Sequence, residues 1–307
     1  MNMHEHVKRY VAHKRSLGRK YVRQERRLLS WADAIMACGE DIIRADTMIR
    51  WAQQSSSNDE ARSRLAIGRR FALWLRAEDE RHEVPHTECL GRRQHQRRTP
   101  HLLSDIQIRT LMEAALQLPP AGSITPHTIH CIIGLVAVAG LRRAEACALQ
   151  LSDVTEDGLV VRETKFGKSR LVPLSDSTRD ALHRYLRLRK QLDAASDHLF
   201  VVSTGGPVTP SNLTHMFIKL ARATGLRGGK GEPGVRLHDL RHRFAVRSLE
   251  QAIDADHDKV SRHILALSTY LGHVGVSSTY WYLHATPVLL QQIAETAEAL
   301  HSGRASS

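Results

Sequence analysis

Apolar side chains recur at helical spacing through the first eighty residues. Leu28, Leu29, Trp31, Ala32, Ile35 and Met36 fall on one helix face, and Leu65, Ile67, Phe71, Leu73, Trp74 and Leu75 on another. The opposite faces carry Arg23, Arg26, Arg27, Arg62, Arg64, Arg69 and Arg70. Ser55 to Asp59 marks a loop followed by a helix start. Residues 5–80 are therefore predicted to form helices with one basic face. Trp31, Trp51 and Trp74 suit the core of a small helical bundle better than exposed base-stacking positions.

The periodicity stops at residues 82–101, which are basic and contain Pro85 and Pro100. This stretch is predicted to be a linker that runs along phosphates. The expected division is a helical domain over 1–81, the linker over 82–101 and a second domain over 102–307.

In the second domain, Ser104 and Asp105 open a helix through Leu118, and an apolar helix follows over 126–139. Another helix opens at Arg142. Gly158 to Leu174 alternates as two strands around a Lys/Gly turn. Helices are expected over 176–192, 209–224, 237–253 and 258–271, with a short strand over 198–202. Gly225, Gly228, Gly229, Gly231 and Gly234 make 224–234 an expected flexible loop, without phosphate-loop spacing. Ser277 or Ser278 can cap a short helix over 277–284 that carries Tyr282. A last apolar helix is expected over 287–300. The fold class is mainly α with a small β-sheet.

Charge adds a partner. The chain of 307 residues has a formal net charge of +12 and a pI near 10.0. Residues 1–98 hold 21 Lys/Arg against 13 Asp/Glu, and the remainder 23 against 19. Such an excess, concentrated in the first third, favours a polyanion such as nucleic acid. Cys38, Cys89, Cys131 and Cys147 lie far apart, with no CxxC pair and no signal peptide. Reduced thiols in a cytoplasmic protein are expected. The most apolar run, Ile129 to Leu141, is too short to span a membrane. No HExxH occurs, and His4-Glu5-His6 sits at the chain end, so neither metal nor cofactor is expected.

Two arginines, a lysine, two histidines and a tyrosine stand mostly on element ends. Arg142 and Glu145 share a face at a helix start, as do His238 and Arg241. Lys165 projects from the hairpin turn, and His273 and Tyr282 close the set. Two guanidiniums can clamp the non-bridging oxygens of a phosphodiester and oppose charge building at phosphorus. A histidine can take the proton of a tyrosine nucleophile, and a lysine can protonate the departing oxygen.

With these motifs in place the chain resembles the tyrosine recombinases of the phage-integrase family. The first arginine box is Ala139-Gly-Leu-Arg-Arg-Ala-Glu145, and the lysine hairpin runs from Thr164 to Leu174. HxxR is His238-Asp-Leu-Arg241, and LGH is Leu271-Gly-His273, nine residues before Tyr282. The resemblance covers 100–285 strongly and 5–80 in pattern. It implies a SAM-like helical core-binding domain followed by an α+β catalytic domain, the two wrapping duplex DNA as a clamp.

It further implies that Tyr282 attacks the scissile phosphate to form a 3′-phosphotyrosyl bond and free a 5′-hydroxyl. Arg142 and Arg241 would hold the phosphate. Lys165 would act as general acid, His238 as proton acceptor, and His273 on the phosphate or in positioning the attack. Glu145 would support them. Lys168 competes with Lys165, though counting back from Arg170 favours Lys165; Tyr280 competes with Tyr282, which the nine-residue spacing favours. The implied partners are double-stranded DNA, further copies in a tetrameric synapse, and accessory directionality factors as candidate additions. A mobile element or plasmid is the implied host. The helix over 287–300 packs on its own domain or docks in a neighbouring copy. A type IB topoisomerase-like nicking enzyme and a catalytically silent DNA-binding accessory protein are the competing functions.

Overall fold

The computed structural model describes residues 2–91, 100–162, 169–192, 194–251 and 257–272. The chain divides into two compact units, Met1–Arg97 and Arg98–Ser307.

The first unit consists, among the described residues, of α1 (Met3–Ser16), α2 (Val22–Ala37), α3 (Ala45–Gln53) and α4 (Asn58–Arg76). Side-chain caps fix two of the starts. The Asn2 side chain accepts from the Glu5 N–H, the Glu5 carboxylate accepts from the Asn2 N–H, and Ser57 Oγ accepts from the Glu60 N–H. Leu28, Trp31, Ile35 and Phe71 are fully buried, as their period requires. Trp31 and Trp51 are core residues, and Trp74 packs against the core with the Arg9 guanidinium 4.8 Å from its ring centroid.

The basic face differs from expectation in one respect: some of its arginines act inside the unit. Arg27 donates to Glu60 Oε2 at 2.6 Å. Arg69 Nε donates to the Pro85 carbonyl at 2.9 Å and Arg62 Nε to the Leu90 carbonyl at 3.2 Å. Residues 82–91, expected to begin the linker, are thereby fastened to α4. His82 is buried and its Nδ1 accepts from the Ile43 N–H at 3.0 Å, while Glu83 Oε2 accepts from the Ala45 N–H at 2.9 Å. Side-chain-to-backbone bonds, rather than an apolar stripe, hold this segment.

The second unit contains α5 (Asp105–Ala115), α6 (Ile124–Ala139), α7 (Arg143–Ala148), a 3₁₀ turn (Leu151–Asp153), β1 (Val154–Thr155), β2 (Gly158–Val161) and β3 (Arg170–Val172). Then follow α8 (Asp176–Lys190), α9 (Pro210–Ala223), α10 (Leu237–Glu250) and α11 (His257–Tyr270). The described residues are thus mainly helical with one small sheet. Helix α6 is apolar around most of its circumference and sits centrally, packed by α5, α8 and α10. Gly140 ends it at φ 59°, and a Cβ there would lie 2.5 Å from Phe244 of α10. Both the turn and the close helix approach therefore need glycine.

The sheet is antiparallel in the order β1-β2-β3, with Leu159 opposite Val172 and Val161 opposite Arg170. Leu159, Val161 and Val172 are buried and Leu171 is 48% exposed. Strand period two places Arg170 on the core-facing side with Val172. The expected strand over 198–202 is instead two isolated bridges, Gln150 to His198 and Val201 to Pro207. Its apolar run reflects burial of Leu199, Phe200 and Val201 rather than a ladder. The glycine-rich loop is closed rather than loose: Arg227 bridges Gly234, and Arg227 Nη1 donates to the Gly234 carbonyl at 3.1 Å.

Candidate active site

Three elements, α7, β3 and α10, meet around one carboxylate. Glu145, in the first turn of α7, is 7% exposed at its side chain. Its Oε2 accepts from the Arg142 N–H at 2.9 Å, and its Oε1 from Arg142 Nη1 at 2.6 Å. Arg170 enters from β3 as a two-bond fork, Nη1 to Oε1 at 3.1 Å and Nη2 to Oε2 at 2.6 Å. Arg241 from α10 brings Nη1 to 3.9 Å from Glu145 Oε2. Three guanidiniums thus share one carboxylate, a local surplus of positive charge suited to an anion.

Backbone carbonyls of the two motif turns complete the frame. Arg241 donates from Nη1 to Gly140 O at 2.5 Å and from Nη2 to Leu271 O at 2.6 Å. Arg142 Nη2 donates to Gly272 O at 2.6 Å. The first arginine box and the start of LGH are therefore tied together by the arginines themselves. Gly272 adopts φ 62°, and a Cβ there would stand 3.2 Å from Nη1 of both Arg142 and Arg170. Below, Asp239 is fully buried and accepts from the Arg236 N–H at 2.8 Å, fixing the start of α10. Tyr270 OH donates to Ala139 O at 3.2 Å and anchors the end of α11.

Electrostatics follow from this packing. Burial pulls the Glu145 carboxyl upward, but the Arg170 bonds and the Arg142 N–H outweigh it and hold the pKa at about 2. The His238 ring lies 4.4 Å from that of His242, edge to face. His238 keeps a solvent-facing edge, yet the protein around it, and then Arg241, lower its pKa. Burial, followed by His238, pushes His242 down to about 4. The imidazole at position 238 is therefore neutral at pH 7.

The depressed His242 has a measurable consequence. The unfolded chain binds a proton near pH 6.5 that the folded chain does not take until about pH 4. Stability should therefore fall as pH drops from 6.5 to 4, by roughly 3 kcal/mol in full. In His242→Gln the slope of unfolding free energy against pH across that window should be smaller, as urea titrations at stepped pH would record.

The structure brings Arg142 and Glu145, at the start of α7, together with His238 and Arg241, near the start of α10. Lys165, Lys168, His273, Tyr280, Tyr282 and the helix expected over 287–300 lie outside the described residues. Arg170 is a site residue that motif reading passes over. Its signal is the alternation Arg170-Leu-Val172, which turns a charged side chain inward.

A fold of this kind, with paired arginines on two helix starts, defines a class, and the comparisons agree on it. The model of the phage integrase family matches residues 102–288. An integrase/recombinase of Sinorhizobium fredii, y4rB, is 38% identical over 302 residues, covering 95% of this chain and 96% of that one. The tyrosine recombinase XerD of Brucella suis is 28% identical over 258 residues, covering 81% and 78%. Among solved structures, the Tn1549 transposon integrase in complex with transposon right end DNA superposes with a TM-score of 0.65 at 18% identity, covering 96% of this chain and 99% of that one. A lambda integrase dimer bound to a core site gives 0.63 at 17% identity, covering 92% and 77%. The chain belongs to the phage integrase family of tyrosine recombinases.

Proposed function

We propose that the protein is a site-specific DNA recombinase that cuts and rejoins strands through a 3′-phosphotyrosyl bond on Tyr282. One observation carries this reading: Arg142 and Arg241, far apart in sequence, are held against one carboxylate beside the turn that leads to His273. Two guanidiniums brought this close support a role in holding a single phosphate.

In the proposed reaction the Tyr282 hydroxyl attacks phosphorus and passes its proton to neutral His238. Arg142 and Arg241 offset charge growing on the non-bridging oxygens. Lys165 gives a proton to the departing 5′-oxygen, and His273 bonds the phosphate. The P–O bond to tyrosine replaces the P–O bond to deoxyribose, so rejoining is the same step reversed and requires no added energy source. The first unit and the basic stretch around Arg92, Arg93, Arg97 and Arg98 would follow the DNA backbone. Relatives include structures bound to DNA and a lambda integrase tetramer on a Holliday junction. By analogy the chain would act in the cytoplasm as a tetramer on two sites of a mobile element. Domain limits of 1–81, 82–101 and 102–307 remain the proposed functional division, with 82–91 seated on the first unit.

The test is a suicide-substrate assay with nicked duplexes tiled across the DNA flanking the gene. Wild type should yield a covalent protein–DNA adduct on one duplex, and Tyr282→Phe should bind that duplex without yielding any. Equal adduct from both proteins would refute the assignment. Relaxation of supercoiled plasmid regardless of sequence would favour the topoisomerase alternative; binding without adduct by wild type would favour the accessory protein.

A further inference from the structure

We propose that Arg170 is a positioning residue for strand cleavage, aiming the Arg142 guanidinium by pinning the Glu145 carboxylate. The proposal rests on the recombinase reading above.

The two oxygens of Glu145 are each shared. Oε1 accepts from Arg142 Nη1 and Arg170 Nη1; Oε2 accepts from the Arg142 N–H and Arg170 Nη2. Rotation of the carboxyl group would break bonds to both arginines together. The Arg170 side chain is 12% exposed and that of Glu145 7%, so solvent offers little replacement. Without Arg170 the carboxylate retains hydrogen bonds from the Arg142 guanidinium and N–H, with Arg241 3.9 Å away, in a site whose burial favours the neutral acid. Arg142 would then be fixed by Gly272 O while its second acceptor turned or protonated.

Position in the fold makes this more than a salt bridge. Arg170 follows directly on the hairpin segment that contains Lys165, and its inward direction is set by the register of β3. Gly272, the residue before His273, has room for no Cβ between Arg142 and Arg170 without crowding both. The hairpin, the first arginine box and the LGH turn therefore meet at this guanidinium. A planar two-bond fork fixes direction in a way that a lysine ammonium does not.

The experiment uses the full chain and a nicked duplex that wild type cleaves and Tyr282→Phe does not. Single-turnover cleavage at saturating DNA is compared for wild type, Arg170→Gln, Arg170→Lys, Glu145→Gln and the Arg170→Gln/Glu145→Gln pair. Arg170→Gln should slow cleavage on the order of 10²-fold, as small misplacements of reacting groups do, with the DNA dissociation constant unchanged. Arg170→Lys should recover part of the rate. The double variant should be no slower than its slower parent, because both changes break one linkage. In Arg170→Gln the acid-side fall in rate should begin at a higher pH than in wild type, as the Glu145 pKa rises.

Wild-type rates in Arg170→Gln, or multiplicative losses in the pair with the acid limb unmoved, would overturn the proposal. Should Arg170→Gln melt below the assay temperature, Arg170→Lys decides: a slowed plateau rate with unchanged DNA affinity supports positioning, and a wild-type rate rejects it. Absence of wild-type adduct on every duplex would instead overturn the recombinase reading, and the role of Arg170 with it.

Discussion

Arg241→Ala should reduce the rate of covalent adduct formation by about 10²- to 10³-fold, the loss found when one preorganised donor to a developing charge is removed. The side chain is 1% exposed and its guanidinium is held by Gly140 O and Leu271 O, so its direction is fixed before any phosphate arrives. The energy of arranging it has been supplied by folding. Alanine also leaves those two carbonyls without their donor, at about 1–3 kcal/mol for each group that water cannot reach. DNA binding should survive, since the positive charge of the chain is distributed over many other side chains. Arg142→Ala should show a comparable rate loss with a smaller effect on stability, because its side chain is 28% exposed. Single-turnover trapping at saturating DNA measures both; a loss under tenfold for Arg241→Ala would contradict the assignment.

Glu145→Ala should destabilise the second unit by about 3–5 kcal/mol, the range for removing one partner of a buried ion pair. Three guanidiniums would face one another without the carboxylate that separates their charges. Urea unfolding followed by a second-unit probe would report this, and a change below about 1 kcal/mol, typical of an exposed pair, would show that water already screens the site. The pH sense is fixed by the depressed carboxyl. Its contribution is complete above the ordinary glutamate pKa and is lost as pH falls through the folded value of about 2. The acid loss due to His242 lies higher, between 6.5 and 4, so the two groups are separable by titration.

Sequence patterning located most helices because their apolar periods are long, as in α2, α4 and α6. It placed Arg142, His238 and Arg241 at helix starts, where the structure has them, because each lies in a motif of fixed spacing. What it passed over has a physical reason in each case. Strand β1 is two residues long and carries no period. Residues 82–91 look like linker because polar bonds from His82, Glu83, Arg62 and Arg69 fasten them, and such bonds leave no apolar stripe. The carbonyls of Gly140, Leu271 and Gly272 act as ligands for the arginines, and a sequence does not show where a carbonyl points. Arg170 was readable in principle, since its neighbour Val172 faces the core; a charged residue two positions away must then face inward and needs a counter-charge.

The proposed chemistry depends on which atom of the protein becomes joined to DNA. Trapped adduct can be digested with protease and nuclease and the nucleotide-bearing peptide sequenced by mass spectrometry. A single modified residue is expected, Tyr282 esterified to a 3′-phosphate, with a free 5′-hydroxyl on the released strand. Modification of Tyr280 or any other residue, or a 5′-phosphate on the protein, would contradict it.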